Sequence, residues 1–538
     1  MEAGHWGTYN TLEEFDEQIG KVRRQLKELE YHRNSRVPVC RLPLEIIGKI
    51  FTLTTSRTDR QWDRPKFPKV MHICRLWRTI AAKTPSVWTW PDFGCPEMAR
   101  EMMKYSSSVP LNVDWNRSHP EFRQTHFDLL LEALERPSQI SSLRLYGISA
   151  HQTTSLLARM TEPAPYLRSI DLVPRGVDQS VLPVNFLGGD APRLISIDIV
   201  GCSIPWGSSA LRNLTTIHVW NMTTPIDTPL KDIAFTLKAA TQLVSVNILD
   251  YCPTRIDATL PQDLMIVLPY LERLYLSSRA IVVVTLLQRM TFPASTIVHL
   301  ETNELENTLD SLCGSISGLF SDRSTNPTPI RCVKGLELSH TDGEGIMLRV
   351  WNPQHRTAGD VCDNLRSPHF TLQLKDPAHT GIEVDILPIL QPLLESLGTI
   401  QYLEELRIGA PSFRQSTMIQ RFGSCPLLHS ITTYGISIEV VLGSLSQNLS
   451  GTTQPIPYPT LSTVGFYDVD FDVVPMSRFL VEMLRRRSEL GTPVTKIVLE
   501  CCENLYRNSV VMLRGEVGSN IEVDWDEVEM DSIDSDSD

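Results

Sequence analysis

The chain has 538 residues, of which 42% are hydrophobic and 21% are charged. This length exceeds what one hydrophobic core usually organises, and the apolar content is too high for a mostly disordered protein. The composition therefore predicts either several folded domains or one elongated repeat array.

The formal net charge of -13 is distributed unevenly along the chain. Residues 21–83 contain 16 Lys and Arg against 5 Asp and Glu, whereas residues 522–538 hold nine acids and no base. Repulsion between like charges opposes packing in so acidic a segment. We therefore expect residues 516–538 to form a solvated, disordered tail.

The sequence also bears on the cellular compartment. It does not start with a basic region leading into an apolar run, and it contains no uninterrupted apolar stretch of about 18 residues. The 11 cysteines are scattered and form no Cys-x-x-Cys pair. Reduced thiols suit this pattern better than a disulfide framework does. We expect a cytoplasmic or nuclear protein without a membrane partner.

Residues 1–36 are predicted to contain an amphipathic helix with heptad spacing. Its apolar residues are separated by steps of 3, 4, 3, 4 and 3, which place them at a and d positions on one helix face. The seam covers about two and a half heptads, so we favour packing against the next domain over dimerisation as a coiled coil. The seam residues are Leu12, Phe15, Ile19, Val22, Leu26 and Leu29.

Residues 37–93 contain three short motifs that predict a compact helical unit. The first reads Leu-Pro-x-Glu-Ile-Ile-x-x-Ile-Phe from Leu42, and its proline suits the first turn of an amphipathic helix. After a polar loop, Val-x-x-Ile-Cys-Arg-x-Trp-Arg-x-Ile-Ala from Val70 has the spacing of a second amphipathic helix. Thr-Pro-x-x-Trp from Thr84 closes the unit.

This order of motifs resembles the F-box family. With its long loop and preceding heptad helix, the segment is most similar to the fungal F-box-like group. The resemblance implies that the unit docks onto the small Skp-type adaptor of a cullin-based ubiquitin ligase. It further implies an adaptor-facing set, supported or extended by two tryptophans and one isoleucine of the later motifs. The full set is Leu42, Pro43, Ile46, Ile47, Ile50, Phe51, Trp77, Ile80 and Trp88.

The apolar and basic residues of this region also permit two different interpretations. In the first alternative, the apolar residues form an internal core and contact no partner, and we favour that interpretation for Cys74 and Trp77. The positive charge can mark a nucleic-acid surface. We do not expect that function, because the basic loop is interrupted by acids and matches no nucleic-acid module. The loop's basic residues are Arg57, Arg60, Arg64 and Lys66.

One short pattern recurs between residues 137 and 515. Its fullest copy, Leu-x-x-Ile-x-Ile-x-x-Cys-x-Ile from Leu194, matches the leucine-rich-repeat template. Looser copies start at residues 140, 167, 214, 243, 271, 333, 403, 428 and 461, with a half copy at residue 497. With the copy at residue 194 included, the first six starts are residues 140, 167, 194, 214, 243 and 271. Successive starts are 20 to 29 residues apart, as such repeats require.

A single repeat cannot bury its apolar face, so neighbouring copies must stack. We expect a leucine-rich-repeat-like α/β solenoid over residues 137–515, with loops or an insertion between about residues 300 and 400. Residues 94–136 are predicted to be a helical linker. Alternate side chains of each strand point outward. By that alternation the candidate target-binding residues are His218, Trp220, Asn247, Tyr275 and Arg407.

The sequence contains no motif for catalysis. A Gly-rich phosphate loop, a Gly-x-Ser-x-Gly turn and a His-Glu-x-x-His helix are all missing. His119 and His126 lie seven residues apart, but a histidine pair without a third ligand is more often structural. We expect no catalytic residue, metal or cofactor.

These patterns predict an α/β fold in which a short all-helical F-box-like segment precedes the leucine-rich-repeat-like solenoid. The predicted function is substrate recognition in a cullin-type ubiquitin ligase. The helical segment would bind the Skp-type adaptor, and the repeats would bind an unidentified target protein. The alternative is a free-standing repeat scaffold that mediates protein–protein interaction without a ligase.

Overall fold

A computed structural model describes residues 11–529, apart from segments 56–68, 117–121, 177–179, 221–228, 252–259, 304–307, 321–332, 342–344, 352–367, 376–386, 398–399, 410–413, 448–455 and 472–475. The chain divides into two compact units. We call Met1–Thr224 the first unit and Pro225–Asp538 the second unit. Both are mixed α/β, with strands that are mostly parallel.

The first unit begins with helices and continues as a sheet. Its helices are α1 (Leu12–Ser35), α2 (Leu44–Thr55), α3 (Arg75–Ala82), α4 (Pro96–Ser106), α5 (Gln124–Leu134) and α6 (Ala150–Leu157). Its strands are β1 (Leu111–Trp115), β2 (Ile140–Ser149), β3 (Ser169–Arg175), β4 (Ser180–Val181), β5 (Ser196–Val200), β6 (Cys202–Ser203) and β7 (Thr216–Trp220). Short 3₁₀ helices occur at Pro38–Arg41, Lys69–His72, Pro85–Trp88, Pro137–Gln139, Phe186–Gly189 and Ser209–Leu211.

Helix α1 has strong end signals and an uncovered seam. Thr11 and Glu14 form a reciprocal capping box, with both side-chain-to-backbone distances at 3.3 Å. The helix buries none of its residues, and the six heptad residues are between 43% and 84% exposed. The expected packing of this seam against the next domain is therefore wrong for the described chain. The capping box therefore stabilises the helix locally, without tertiary burial.

The helical part of the first unit has its own core. It contains Ile47 and Phe51 of α2, the end of α3 and Trp88, whose indole N–H donates to the Ala81 carbonyl at 2.7 Å. The Phe51 and Trp77 rings lie 5.0 Å apart. Tight packing brings α2 close to the following turn, since a Cβ on Gly48 would lie 2.9 Å from the Thr84 hydroxyl.

Five strands of the first unit pair in parallel in the order β1-β2-β3-β5-β7. Their apolar residues stand in register and are buried, so each strand completes the apolar layer of its neighbour. The strands expected from the copies at residues 140, 167, 194 and 214 are thereby confirmed as strands. One column is Leu143, Ile170, Ile197 and Ile217, and the other is Leu145, Leu172, Ile199 and Val219.

The second unit alternates helices and strands. Its helices are α7 (Leu230–Ala239), α8 (Ala280–Leu287), α9 (Leu309–Phe320), α10 (Leu387–Ser396), α11 (Gln415–Phe422), α12 (Ile438–Ser446), α13 (Met476–Glu489) and α14 (Arg507–Val517). Its strands are β8 (Ser245–Tyr251), β9 (Ile266–Val267), β10 (Arg273–Arg279), β11 (Met290–Thr291), β12 (Ile297–Asn303), β13 (Gly335–Thr341), β14 (Gly345–Trp351), β15 (Phe370–Leu374), β16 (Glu405–Gly409), β17 (Ser430–Tyr434), β18 (Thr463–Tyr467), β19 (Lys496–Glu500) and β20 (Glu522–Trp525).

The main sheet of the second unit follows the order β8-β10-β12-β15-β14-β13-β16-β17-β18-β19-β20. Strand β14 runs antiparallel to both of its neighbours, and the other pairs are parallel. Between residues 300 and 400, where loops or an insertion were expected, the chain thus adds a three-stranded meander. Its apolar columns continue in register, as in Leu336, Leu406, Ile431, Val464, Ile497 and Val523.

Two boundaries predicted from the sequence were wrong. Residues 94–136 were expected to be a helical linker, yet they include β1, which begins the sheet of the first unit. The acidic tail was expected from residue 516, yet Glu522–Trp525 forms β20 beside β19. The Lys496 ammonium lies 3.2 Å from the Glu522 carboxylate and 2.9 Å from that of Asp524, so a lysine offsets the repulsion between these acids.

A buried arginine joins three elements of the second unit. The side chain of Arg487 in α13 is fully buried, and its guanidinium donates to the carbonyls of Leu445, Pro457 and Tyr458 at 2.7 to 3.5 Å. Burial lowers the pKa of Arg487 to about 10, so the group stays charged at neutral pH. The arginine supplies hydrogen-bond donors to a segment in which Tyr458 has a positive φ of 55°.

We predict that Arg487→Met destabilises the second unit, because each carbonyl left without a donor costs about 1–3 kcal/mol. Arg487→Lys should be intermediate, since an ammonium lacks the forked geometry of a guanidinium. Thermal unfolding, together with hydrogen exchange of residues 456–467, measures both effects. Arg485→Met is the matched control, because Arg485 forms only exposed ion pairs on the same helix. Equal destabilisation by the two methionine variants would contradict the assignment.

Candidate functional site

Helix α2 carries apolar residues on two different faces. Ile47 and Phe51 are each 1% exposed and point into the helical core, where Thr52 also bonds to the Ser86 hydroxyl at 2.8 Å. The other face, together with Leu42 just before the helix, forms a stripe at steps of four, four and three residues. We call it the outer stripe, and its members are Leu42 (39% exposed), Ile46 (46%), Ile50 (39%) and Leu53 (67%).

The predicted adaptor-facing residues therefore fall into two groups. Ile47, Phe51, Ile80 and Trp88 are buried in the helical core and are not available as a surface, which corrects the placement expected for Ile47 and Phe51. The physical reason is that α2 packs on α3 and on the turn ending at Trp88. Leu42, Pro43, Ile46 and Ile50 remain exposed, and Trp77 is half-buried against the core.

Leu44 and Leu53 extend the exposed apolar surface, although the sequence pattern did not single them out. Leu44 is 55% exposed beside the start of α2, and Leu53 lies seven residues after Ile46 on the same helix face. Continuing the helical spacing from Ile46 through Ile50 would have found Leu53. A contiguous apolar surface of this kind favours docking of a protein partner.

A charged row crosses the sheet of the first unit on the side opposite to its apolar columns. Its central carboxylate, Asp171, accepts hydrogen bonds from Arg144 Nε at 3.1 Å and from the Tyr146 hydroxyl at 2.7 Å. At one end, His218 Nδ1 lies 3.0 Å from Asp198 Oδ1. The row consists of the paired residues Asp114, Arg144, Asp171, Asp198 and His218.

The row has perturbed electrostatics. Burial raises the pKa of Asp171 above its ordinary value, although the hydrogen bonds from Tyr146 and Arg144 oppose that shift. The pKa of His218 is raised because its hydrogen bond to Asp198 stabilises the protonated ring. Beside the row, Trp220 is 37% exposed and adds an aromatic surface. The structure thus places the two target-binding candidates of the first unit, His218 and Trp220, on one face.

In the second unit, Tyr275 belongs to a hydrogen-bonded cluster on the side of β10 opposite to its buried Leu274 and Leu276. Its ring stacks on that of His299 with centroids 4.0 Å apart, and its hydroxyl donates to Glu301 at 2.8 Å. Glu301 also accepts from Ser277 at 3.0 Å and pairs with Lys375. Burial alone would raise the pKa of Glu301, but these donors together hold it below its usual value.

Arg407 occupies a second aromatic cluster of the same unit. Its guanidinium carbon lies 5.0 Å from the Trp351 ring centroid, and the guanidinium contacts the Tyr434 hydroxyl at 3.4 Å. The Tyr434 and Tyr467 rings follow with centroids 5.1 Å apart. Gly335 permits this arrangement, because a Cβ there would collide with the Trp351 ring.

These clusters present tyrosine, tryptophan and arginine side chains, which are the residue types enriched at protein interfaces. Asn247 is half-buried and lies beside Tyr275 in the strand register. Sequence reasoning missed His299, Glu301, Trp351, Tyr434 and Tyr467. Tyr434 could have been predicted from the sequence. In the copy that starts at residue 428, alternate side chains point outward, and Tyr434 is one of them.

Other candidate sites have less support. His126 accepts a hydrogen bond from the Arg123 backbone N–H at 3.0 Å, and His119 lies outside the described residues. Within the described ranges, no three His, Cys, Asp or Glu side chains are grouped to hold a metal ion. None of the helices in the described part of the chain is long and apolar enough to cross a membrane. Arg57, Arg60, Arg64 and Lys66 of the basic loop also lie outside the described residues.

No protein-family model matches the chain. No curated protein matches it with significant similarity.

We predict that His218 titrates above its ordinary pKa of 6.5 and that Asp198→Asn lowers its pKa. Because folding raises the pKa of His218, protonation of this residue increases the free energy of unfolding. The increase is fully present below pH 6.5 and is lost as the pH rises through the pKa of His218 in the folded protein. Ring-proton NMR titration measures the shift. Asp190→Asn, which changes an exposed carboxylate of the same unit, is the control. A His218 pKa that is unchanged by Asp198→Asn would refute the assignment.

Proposed function

We propose that this chain is a substrate-recognition subunit of a cullin-type ubiquitin ligase. In this proposal the outer stripe of α2 binds the Skp-type adaptor, and the outward face of the parallel strands binds a target protein. The observation that carries the proposal is the division of α2 into a buried face and an exposed apolar face. The buried face already stabilises the helical unit, so folding of the chain alone does not account for the second face.

The position and chemistry of the outer stripe support the adaptor as its occupant. The stripe begins at Leu42 and continues along α2, where the motif resembling the F-box begins. Isoleucine and leucine side chains gain about 1.5–3 kcal/mol each on full burial, so a few such residues suffice to dock a helix. Residues 21–83 carry a net charge of +11, which suits an acidic partner, and the family's adaptor is acidic.

The strand ladders support the second part of the proposal. Apolar positions of the recurring pattern align from strand to strand, as stacked leucine-rich repeats require. We therefore infer a leucine-rich-repeat-like solenoid, in which His218, Trp220, Asn247, Tyr275 and Arg407 belong to the target-facing side. The chain itself supplies no catalytic group in this proposal. It holds the target near the transferring enzyme, in the cytoplasm or the nucleus.

A free-standing repeat scaffold is the second candidate. It is favoured by the aromatic and charged clusters on the strands, which offer binding groups without any contribution from α2. The two candidates differ in whether the outer stripe has a partner. Binding of the adaptor therefore separates them.

We expect the full chain to co-purify with a Skp-type adaptor and Ile46→Ala/Ile50→Ala to weaken that binding at least about tenfold, because two apolar anchors are truncated. Isothermal calorimetry with purified adaptor gives the affinities. Ile47 and Phe51 stay intact in this variant, so circular dichroism should show an unchanged fold.

The matched control is Val511→Ala/Met512→Ala, which truncates two exposed apolar residues of α14. This control should bind the adaptor as the unaltered chain does. If the unaltered chain fails to bind the adaptor, the ligase proposal is overturned and the scaffold takes its place. Equal weakening by both double variants would show that α2 is not the docking helix.

A further inference from the structure

Helix α1 is a 24-residue helix whose entire heptad seam is exposed. It needs no tertiary contact to form, because its capping box and the Glu17–Lys21 pair at 3.0 Å stabilise it locally. A row of six large apolar side chains that are each 43% to 84% exposed is nonetheless unfavourable in water. The seam therefore requires an occupant from outside the described chain.

The ion pair between α1 and α3 lies away from the seam. Glu28 pairs with Arg75 at 3.3 Å and occupies heptad position c, on the side of the helix away from the seam. Leu26, two residues before Glu28, and Leu29, one residue after it, remain 54% and 67% exposed. The helix is thus attached to its unit by one side and presents the apolar side outward.

We propose that α1 pairs with α1 of a second copy of this chain as a parallel, in-register, two-stranded coiled coil. In this register each a or d residue meets the same residue of the other copy. Leucine therefore packs on leucine and isoleucine on isoleucine along the seam. The apolar stripe from Leu12 to Leu29 is about 26 Å long at 1.5 Å per residue, so we expect reversible, concentration-dependent association.

The residues beside the seam favour a second copy in the parallel orientation. At the e positions the charges alternate, with Asp16, Arg23 and Glu30. The g positions that face them are uncharged at Gln18 and Gln25. In a parallel pair, each e residue faces the g residue five positions earlier in the other copy. Arg23 therefore meets Gln18 and Glu30 meets Gln25, whose amides hydrogen-bond to either sign. Asp16 meets the uncharged Thr11.

The antiparallel orientation brings like charges together. There e faces e, so Asp16 would meet Glu30 of the second copy, and Arg23 would meet its own equivalent. Like-charge contacts destabilise such a pair. The charge pattern therefore selects the parallel orientation.

Sedimentation equilibrium of the full chain over a range of concentrations tests the association. We expect the unaltered chain to approach twice its mass of 60.8 kDa, and Ile19→Asn/Leu26→Asn to remain at the single-chain mass. The control Gly20→Asn/Lys27→Asn introduces the same two asparagines one residue later, at b positions outside the seam. It should dimerise as the unaltered chain does. A Cβ at Gly20 meets no atom within 4 Å.

An unaltered chain that stays monomeric throughout the range overturns the proposal. So does a seam variant that dimerises as well as the control, since the contact would then lie elsewhere. Circular dichroism of each variant checks that α1 still forms. These results are independent of adaptor binding, because the variants leave α2 unchanged.

A charge pair tests the orientation. Gln18→Glu/Gln25→Lys places opposite charges against Arg23 and Glu30 of the second copy in the parallel pair, so the dissociation constant should fall severalfold. Gln18→Lys/Gln25→Glu has the same composition and should raise it severalfold. In an antiparallel pair, g faces g and not e, so the two variants would shift the dissociation constant in the same direction. That outcome would overturn the parallel arrangement.

Discussion

The apolar columns of the strand ladders are the constraint on which the rest of the structure depends. Ile197 is buried because Ile170 and Ile217 flank it on both neighbouring strands at the same height. A strand displaced by one residue would turn its apolar side chains to solvent. The same register therefore determines both faces of the sheet. It aligns the core columns on one side and brings Asp198 beside His218 on the other.

Several features of the fold could be predicted from the sequence because they follow from local periodicity. The copy starting at Leu194 reveals its strand through Ile197 and Ile199, which alternate inward. Strand β12 was missed because Ser295 stands where the pattern has leucine. In β20, Val523 and Trp525 alternate with acids, so the count of negative charges concealed a strand of period two.

The candidate sites were predictable to a lesser extent, because spacing gives the faces of a helix but not the neighbour of each face. Ile46 and Ile47 are adjacent in the sequence, yet one is 46% exposed and the other 1%. That difference arises from the position of α3 and of the turn at Trp88. The same limit applies to α1, whose seam was predicted from its spacing but does not pack on the next domain. The outer stripe and the seam lie on separate helices, so mutations can affect each without the other.

The antiparallel strand β14 affects the order in which the second unit becomes stable. Strand β12 pairs with β10 over a separation of 24 residues, as in Leu274 and Val298, but with β15 over 72 residues, as in Val298 and Phe370. Closing the longer loop costs more chain entropy and slows folding. Until β15 arrives, β12 is an open sheet edge. During synthesis and refolding, that edge is where an incomplete molecule is most prone to aggregate with others.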